Sequence, residues 1–124
     1  MANYVVWLDS SEAKIFGLHP TEVDEKKMQR TEIRHHTGVE KEQNNHKNAE
    51  KFFHQVADAL SDANEVLLVG PGEAKVHFRS HLEQHHHARV GSKIVGVETV
   101  DHPTDGQIVA LARKFFRNHL KFAE

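Results

Sequence analysis

Residues 65–75 read Glu65-Val66-Leu67-Leu68-Val69-Gly70-Pro71-Gly72-Glu73-Ala74-Lys75. A short, nearly continuous apolar run ends in a Gly-Pro-Gly turn, and a helix-forming stretch follows. Alternation is missing from the apolar run, as expected for a central strand covered on both faces. The turn then hands the chain to a helix over residues 73–88, with apolar positions at Ala74, Phe78 and Leu82. Strand, tight turn and helix together make half of a βαβ unit, and the rest of the chain supplies its surroundings.

Downstream, Lys93-Ile94-Val95-Gly96-Val97-Glu98 predicts a further buried strand. His102-Pro103-Thr104-Asp105-Gly106 then leads into a last helix over 107–122, with Ile108, Leu111, Ala112 and Phe115 inward. Upstream, Asn48 is placed to cap a helix whose apolar residues Ala49, Phe52, Phe53, Val56, Ala57 and Leu60 share one face. Residues 35–47 show no periodicity and predict a loop, and long loops in small domains are often functional. At the start, Tyr4-Val5-Val6-Trp7-Leu8 and the alternating stretch through Ala13, Ile15 and Gly17 flank Asp9-Ser10-Ser11, which is turn chemistry. Residues 22–34 are polar with sparse apolar points, which suits an edge strand guarded by its charges.

The element order is therefore β-β-β-α-β-α-β-α. It predicts an α/β fold with a mixed sheet and helices on both faces, as in ribonuclease-H-like domains. No repeat or linker divides the 124 residues, so one domain spanning 1–124 is expected.

Composition narrows the classes of function. The chain has no Cys, which excludes disulfides and thiolate metal sites. No signal-peptide pattern opens it, and its longest apolar run falls far short of a membrane span, so no membrane partner and a cytoplasmic location are expected. A net charge of −2 gives no overall pull toward nucleic acid. Histidine is the outlier at 12 residues, so acidification could raise the formal charge by as many as 12 units.

The hairpin Val5-Val6-Trp7-Leu8-Asp9-Ser10-Ser11-Glu12-Ala13-Lys14-Ile15-Phe16, the Gly70-Pro71-Gly72-Glu73-Ala74-Lys75 junction and the strand at 93–97 carry a resemblance. Together they resemble the middle domain of archaeo-eukaryotic peptide-release factors and Pelota, over nearly the whole chain. Small bacterial stand-alone versions of that domain are grouped with the translational machinery, and this chain is most similar to those. In release factors a Gly-Gly-Gln tripeptide in the loop before the first helix carries peptidyl-tRNA hydrolysis. Here the corresponding segment, residues 35–47, has only Gly38 and Gln43, well separated. The resemblance thus implies the fold without that reaction, as in Pelota, and no cofactor.

Several candidate sites stand beside this reading. Gly70, Gly72 and Lys75 could hold an anion at a helix N-terminus, or form a tight turn and nothing more. The segment lacks the spacer and Lys-Ser/Thr pair of a phosphate-binding loop, and Glu73 opposes an anion. His77, His81 and His85 recur at four-residue spacing, followed by His86 and His87. A metal site would need a third ligand from elsewhere, none being identifiable, so a solvated ridge with incidental zinc or nickel affinity is expected. Asp9, with Glu98 or Asp101, could serve a metal-assisted nuclease or phosphate-ester hydrolase of ribonuclease-H type, or simply make turns. Arg113, Arg117 and Lys121, with Lys114 beside them, form a basic stripe. With His35 and His36 they offer the best surface for RNA.

Three functions follow from these features. The first is a non-catalytic RNA- or ribosome-associated protein of translation or stress physiology. The second is a metal-assisted hydrolase, and the third a homodimer formed through the strand at 22–34.

Overall fold

The computed structural model describes residues 2–29 and 38–123. Its elements are β1 (Ala2–Leu8), β2 (Glu12–Leu18), β3 (Val23–Gln29), α1 (Gly38–Ala59), β4 (Ala63–Gly70), α2 (Ala74–His85), β5 (Ile94–Thr99) and α3 (Asp105–Ala123). The strands form one sheet in the order β3-β2-β1-β4-β5. β1 pairs antiparallel with β2 and parallel with β4. This is the mixed α/β arrangement expected from the element order.

The hairpin closes where Asp9 is used up by its own turn. Its Oδ1 accepts hydrogen bonds from the backbone N–H groups of Ser11 and Glu12, each 2.8 Å, and from the Ser11 hydroxyl at 3.0 Å. Burial pushes the Asp9 pKa up, but those hydrogen bonds outweigh it and hold the carboxyl below its usual range.

Side-chain alternation along β1 and β4 divides the core in two. Val6, Leu8, Val66 and Leu68 face α1 and α2, packing on Phe52, Val56, Leu60, Phe78 and Leu82. Val5, Trp7, Leu67 and Val69 face α3, packing on Ile108, Ala112 and Phe116. Each fully buried side chain of this size contributes about 1.5–3 kcal/mol, so these two central strands carry most of the apolar stabilisation. Phe116 joins the inward set of α3, while Leu111 and Phe115 are only half-buried. α3 itself starts with a reciprocal cap: the Gln107 N–H donates to Thr104 Oγ1 (3.2 Å) and the Thr104 N–H to Gln107 Oε1 (2.9 Å).

Two expectations are corrected. The segment at 35–47 is not a loop throughout, since α1 already begins at Gly38 and Asn48 lies inside it. Lacking an apolar face, residues 39–43 show no periodicity, yet Glu, Lys and Gln have high helix propensity and prolong a helix anchored further along. The strand at 93–98 is not buried on both faces either. β5 is the sheet's last strand, half-buried from Ile94 to Val97 and exposed at Glu98 and Thr99. β3, at the opposite edge, is exposed and charged as expected. The final residues of the predicted edge strand, 30–34, lie outside the described residues.

Gly70 has a steric cause. A Cβ there would lie 2.2 Å from the Leu8 carbonyl oxygen, a backbone atom that cannot move aside. At Gly72 a Cβ would meet nothing within 4 Å. Gly70→Ala is therefore expected to lower unfolding stability by about 3 kcal/mol, while Gly72→Ala stays near wild type. Urea unfolding midpoints of the two variants check this.

Candidate functional site: a groove and a histidine cluster

β1 and β4 run parallel side by side, and their carboxyl ends open onto a groove of about 740 Å³ between α1 and the start of α2. Crevices at the carboxyl ends of parallel strands are where α/β folds commonly bind ligands. Asp9 and Ser10 line one end, Gly72, Glu73 and Ala74 form the wall at the turn, and His77, His81 and His85 contribute from α2.

Lys75 does not reach out from the Gly-Pro-Gly turn as a free point charge. It is buried, and its Nζ donates to the Gly72 carbonyl oxygen. The amine thereby satisfies an acceptor at the start of α2 and fastens the turn. With Gly70 pressed on Leu8, the junction has a complete structural explanation.

The histidine ridge turns out differently from its expected solvated form. His77 and His85 are exposed, but His81 is 7% exposed and belongs to the packed side of α2. Its ring lies 5.4 Å from Phe53 and 4.4 Å, edge-on, from His54 of α1. His54 Nδ1 is 3.3 Å from His81 Nε2 and 2.8 Å from His86 Nε2. A histidine from another helix, His54 of α1, thus joins His81 and His86. Among the described residues, His54, His81 and His86 are the only three potential metal ligands whose ligand atoms all lie within 4.8 Å of one another.

The four-residue repeat places His81 with the exposed His77 and His85, whereas its position in the packing sets it apart. His81 also continues the inward series Ala74, Phe78, Leu82 at the margin of that stripe, which the sequence spacing shows. His54 directly follows the apolar pair Phe52-Phe53, which carries it to the same interface.

Arg89, in the turn after α2, supports the cluster. Its Nη2 donates to His86 Nδ1 and to Asp58 Oδ1 of α1, both at 2.9 Å. The pair is solvent-exposed, so it orients His86 more than it stabilises the fold. Burial, and then the Arg89 charge, lower the His86 pKa. For His81, burial is the main cause of a pKa lowered to about 4. The neighbouring His54, His85 and His86 push the same way, and Glu50 opposes them.

The acids proposed for a nuclease do not gather into a comparable cluster among the described residues. Asp9 serves its turn. Asp101 Oδ1 contacts His102 Nδ1 at 2.9 Å, and its carbonyl accepts the Trp7 indole N–H at 2.9 Å.

On α3, Lys114 and Arg117 are exposed, and half-buried Arg113 reaches the Glu22 carbonyl at 3.4 Å. The Lys121 backbone continues the same helix. His35 and His36 lie outside the described residues. No helix among the described residues is long and apolar enough to cross a membrane.

No protein-family model and no curated protein matches the sequence. Solved structures do match its fold. Archaeoglobus fulgidus Pelota aligns over 98% of this chain and 35% of its own, at 16% identity and a TM-score of 0.68. The archaeal translation termination factor aRF1 aligns over 98% and 41%, at 16% identity and a TM-score of 0.59. Dom34 of S. cerevisiae, a translation termination-like factor involved in RNA quality control pathways and interacting with Hbs1, aligns over 90% and 32%, at 11% identity and a TM-score of 0.56. The chain thus has a fold found in release-factor-like proteins and spans roughly a third of their length.

A histidine whose pKa is lower folded than unfolded stabilises while neutral. The unfolded chain takes up the proton first as pH falls, so the contribution is full above about 6.5 and lost down to about 4. His81→Leu abolishes that titration. With chelator present, the stability gap between wild type and His81→Leu is expected to shift against wild type by about 2 kcal/mol over this window. Thermal melts at stepped pH measure it.

Proposed function

We propose that this chain is a non-catalytic, RNA- or ribosome-associated cytoplasmic protein acting in translation or its quality control. The likeness to Pelota over 98% of the chain is the observation that carries the reading. The sequence contains no Gly-Gly-Gln, so the tripeptide that the release-factor resemblance would require for peptidyl-tRNA hydrolysis is missing. Gly38 begins α1 and Gln43 lies within it.

For a chain of net charge −2, any binding to RNA has to come from a local patch. Arg113, Lys114 and Arg117 offer that patch, with Lys121 further along the same helix in sequence, and the helix packs its inner side on Val5 and Trp7. Phosphate contacts of this kind are read without base specificity and weaken as salt rises. Lys114 and Arg117 extend into solvent, so their charges can be reversed without disturbing the core.

Ribosomal RNA is expected to co-sediment with the protein at low salt and to dissociate as salt is raised. Lys114→Glu/Arg117→Glu should weaken the association by about tenfold or more, with unchanged thermal stability. Absence of association at low salt would refute the proposal.

A further inference from the structure

Three imidazoles from separate stretches of chain meet at the α1–α2 interface, although each is a base that repels its neighbours once protonated. His54 comes from α1, His81 from α2 and His86 from the residue that ends α2. Burial of His81 against Phe53 limits the water that can screen its ring. A hydrogen bond among them accounts for only part of this arrangement, since His54 Nδ1 is approached by two ring nitrogens and can accept fully from one.

The geometry points to a divalent transition-metal site formed by His54 Nδ1, His81 Nε2 and His86 Nε2, with Zn2+ as its chemical type. Nitrogens about 2.0–2.1 Å from a tetrahedral Zn2+ stand roughly 3.3 Å apart. The His54–His81 separation of 3.3 Å matches that spacing, the His54–His86 separation of 2.8 Å is shorter than it, and the set lies within 4.8 Å. Rotation of the half-buried His86 brings the third nitrogen into place. Three neutral imidazoles without a carboxylate favour zinc, copper, nickel or cobalt over magnesium or calcium. A three-nitrogen set also leaves a tetrahedral ion one further position. Lowered pKa values at His81 and His86 favour the deprotonated form that a metal ligand needs at neutral pH. Glu50 and Asp58, each close enough to act on one of the rings, supply negative potential at the rim.

Arg89 gives the site a distinctive control. Guanidinium only donates, so its contact with His86 Nδ1 makes that nitrogen the acceptor and leaves the hydrogen on Nε2. Ligation through Nε2 needs the opposite tautomer. The ion must therefore displace Arg89 from His86, and Arg89 acts as a built-in competitor by both charge and tautomer.

Calorimetric titration of the full chain with ZnCl2 at neutral pH tests this, with the visible absorption of the Co2+ form reporting a tetrahedral nitrogen environment. One ion per chain is expected, with a Kd in the micromolar range or tighter. His54→Gln and His86→Gln should each weaken binding about tenfold or more. Both are less buried than His81, so they test the site even where a His81 variant fails to fold. His77→Ala/His87→Ala, which removes exposed histidines outside the cluster, should leave affinity unchanged. Arg89→Ala should bind more tightly than wild type. Absence of one-to-one binding tighter than millimolar, or an affinity unchanged in both His54→Gln and His86→Gln, would overturn the site. An Arg89→Ala affinity at or below wild type would overturn His86 Nε2 as a ligand.

Discussion

Gly70 meets the Leu8 carbonyl at a distance that excludes any side chain, and the rest of the molecule is arranged around that approach. It draws the carboxyl end of β4 against that of β1, so the two central strands finish at one level. Both have helices on each face, and their parallel register sets which residues face α1 and α2 and which face α3. The turn that follows must leave this crowded point at once, and Gly-Pro-Gly does so. Buried Lys75 then ties the turn to the first residues of α2 through the Gly72 carbonyl. The groove at the strand ends follows from the same constraint, since the two chain directions diverge there and the helices part.

Placement of α2 determines the electrostatics on its far side. Once Phe78 and Leu82 are buried, a residue at position 81 has to lie at the edge of the core, and α1 places His54 opposite it. Placing neutral imidazoles together costs little, whereas placing imidazolium ions together in a partly dry interface costs much. Burial depresses the His81 pKa first and the neighbouring rings depress it further. Arg89 and Asp58 complete the arrangement from opposite sides of the interface, and their worth lies in orientation because both are exposed.

The sheet was legible in the sequence where residue chemistry and strand period agree. Val5, Val6, Trp7 and Leu8, and the run at 66–69, are apolar on both faces because helices cover both faces, and few arrangements besides a twice-covered sheet produce that pattern. The hairpin turn was legible for the same kind of reason, since Asp9-Ser10-Ser11 names its own hydrogen bonds. Where stability comes from outside the segment, the reading failed. The first turns of α1 have no apolar face to announce them, and β5 looks like a central strand because Ile94, Val95 and Val97 give no sign that it ends the sheet among the described residues. The histidine cluster was half legible. Its α2 members were conspicuous by spacing, but His54 is 27 residues from His81 in sequence, and only the packing of α1 on α2 joins them.

Fold and site therefore point in different directions. The fold, shared at low identity with proteins of translation termination and quality control, describes a scaffold, and scaffolds of this kind host unrelated activities. What is particular to this chain lies on it. The release-factor resemblance directs attention to the segment before α1, yet Gly38 and Gln43 enter a helix there and no catalytic tripeptide exists to be positioned. Chemistry is concentrated instead at the other end of α1, where it packs on α2. The helix that begins at Gly38 is the element that carries His54. The same helix thus spans from the segment that the resemblance singles out to the only cluster of potential metal ligands among the described residues.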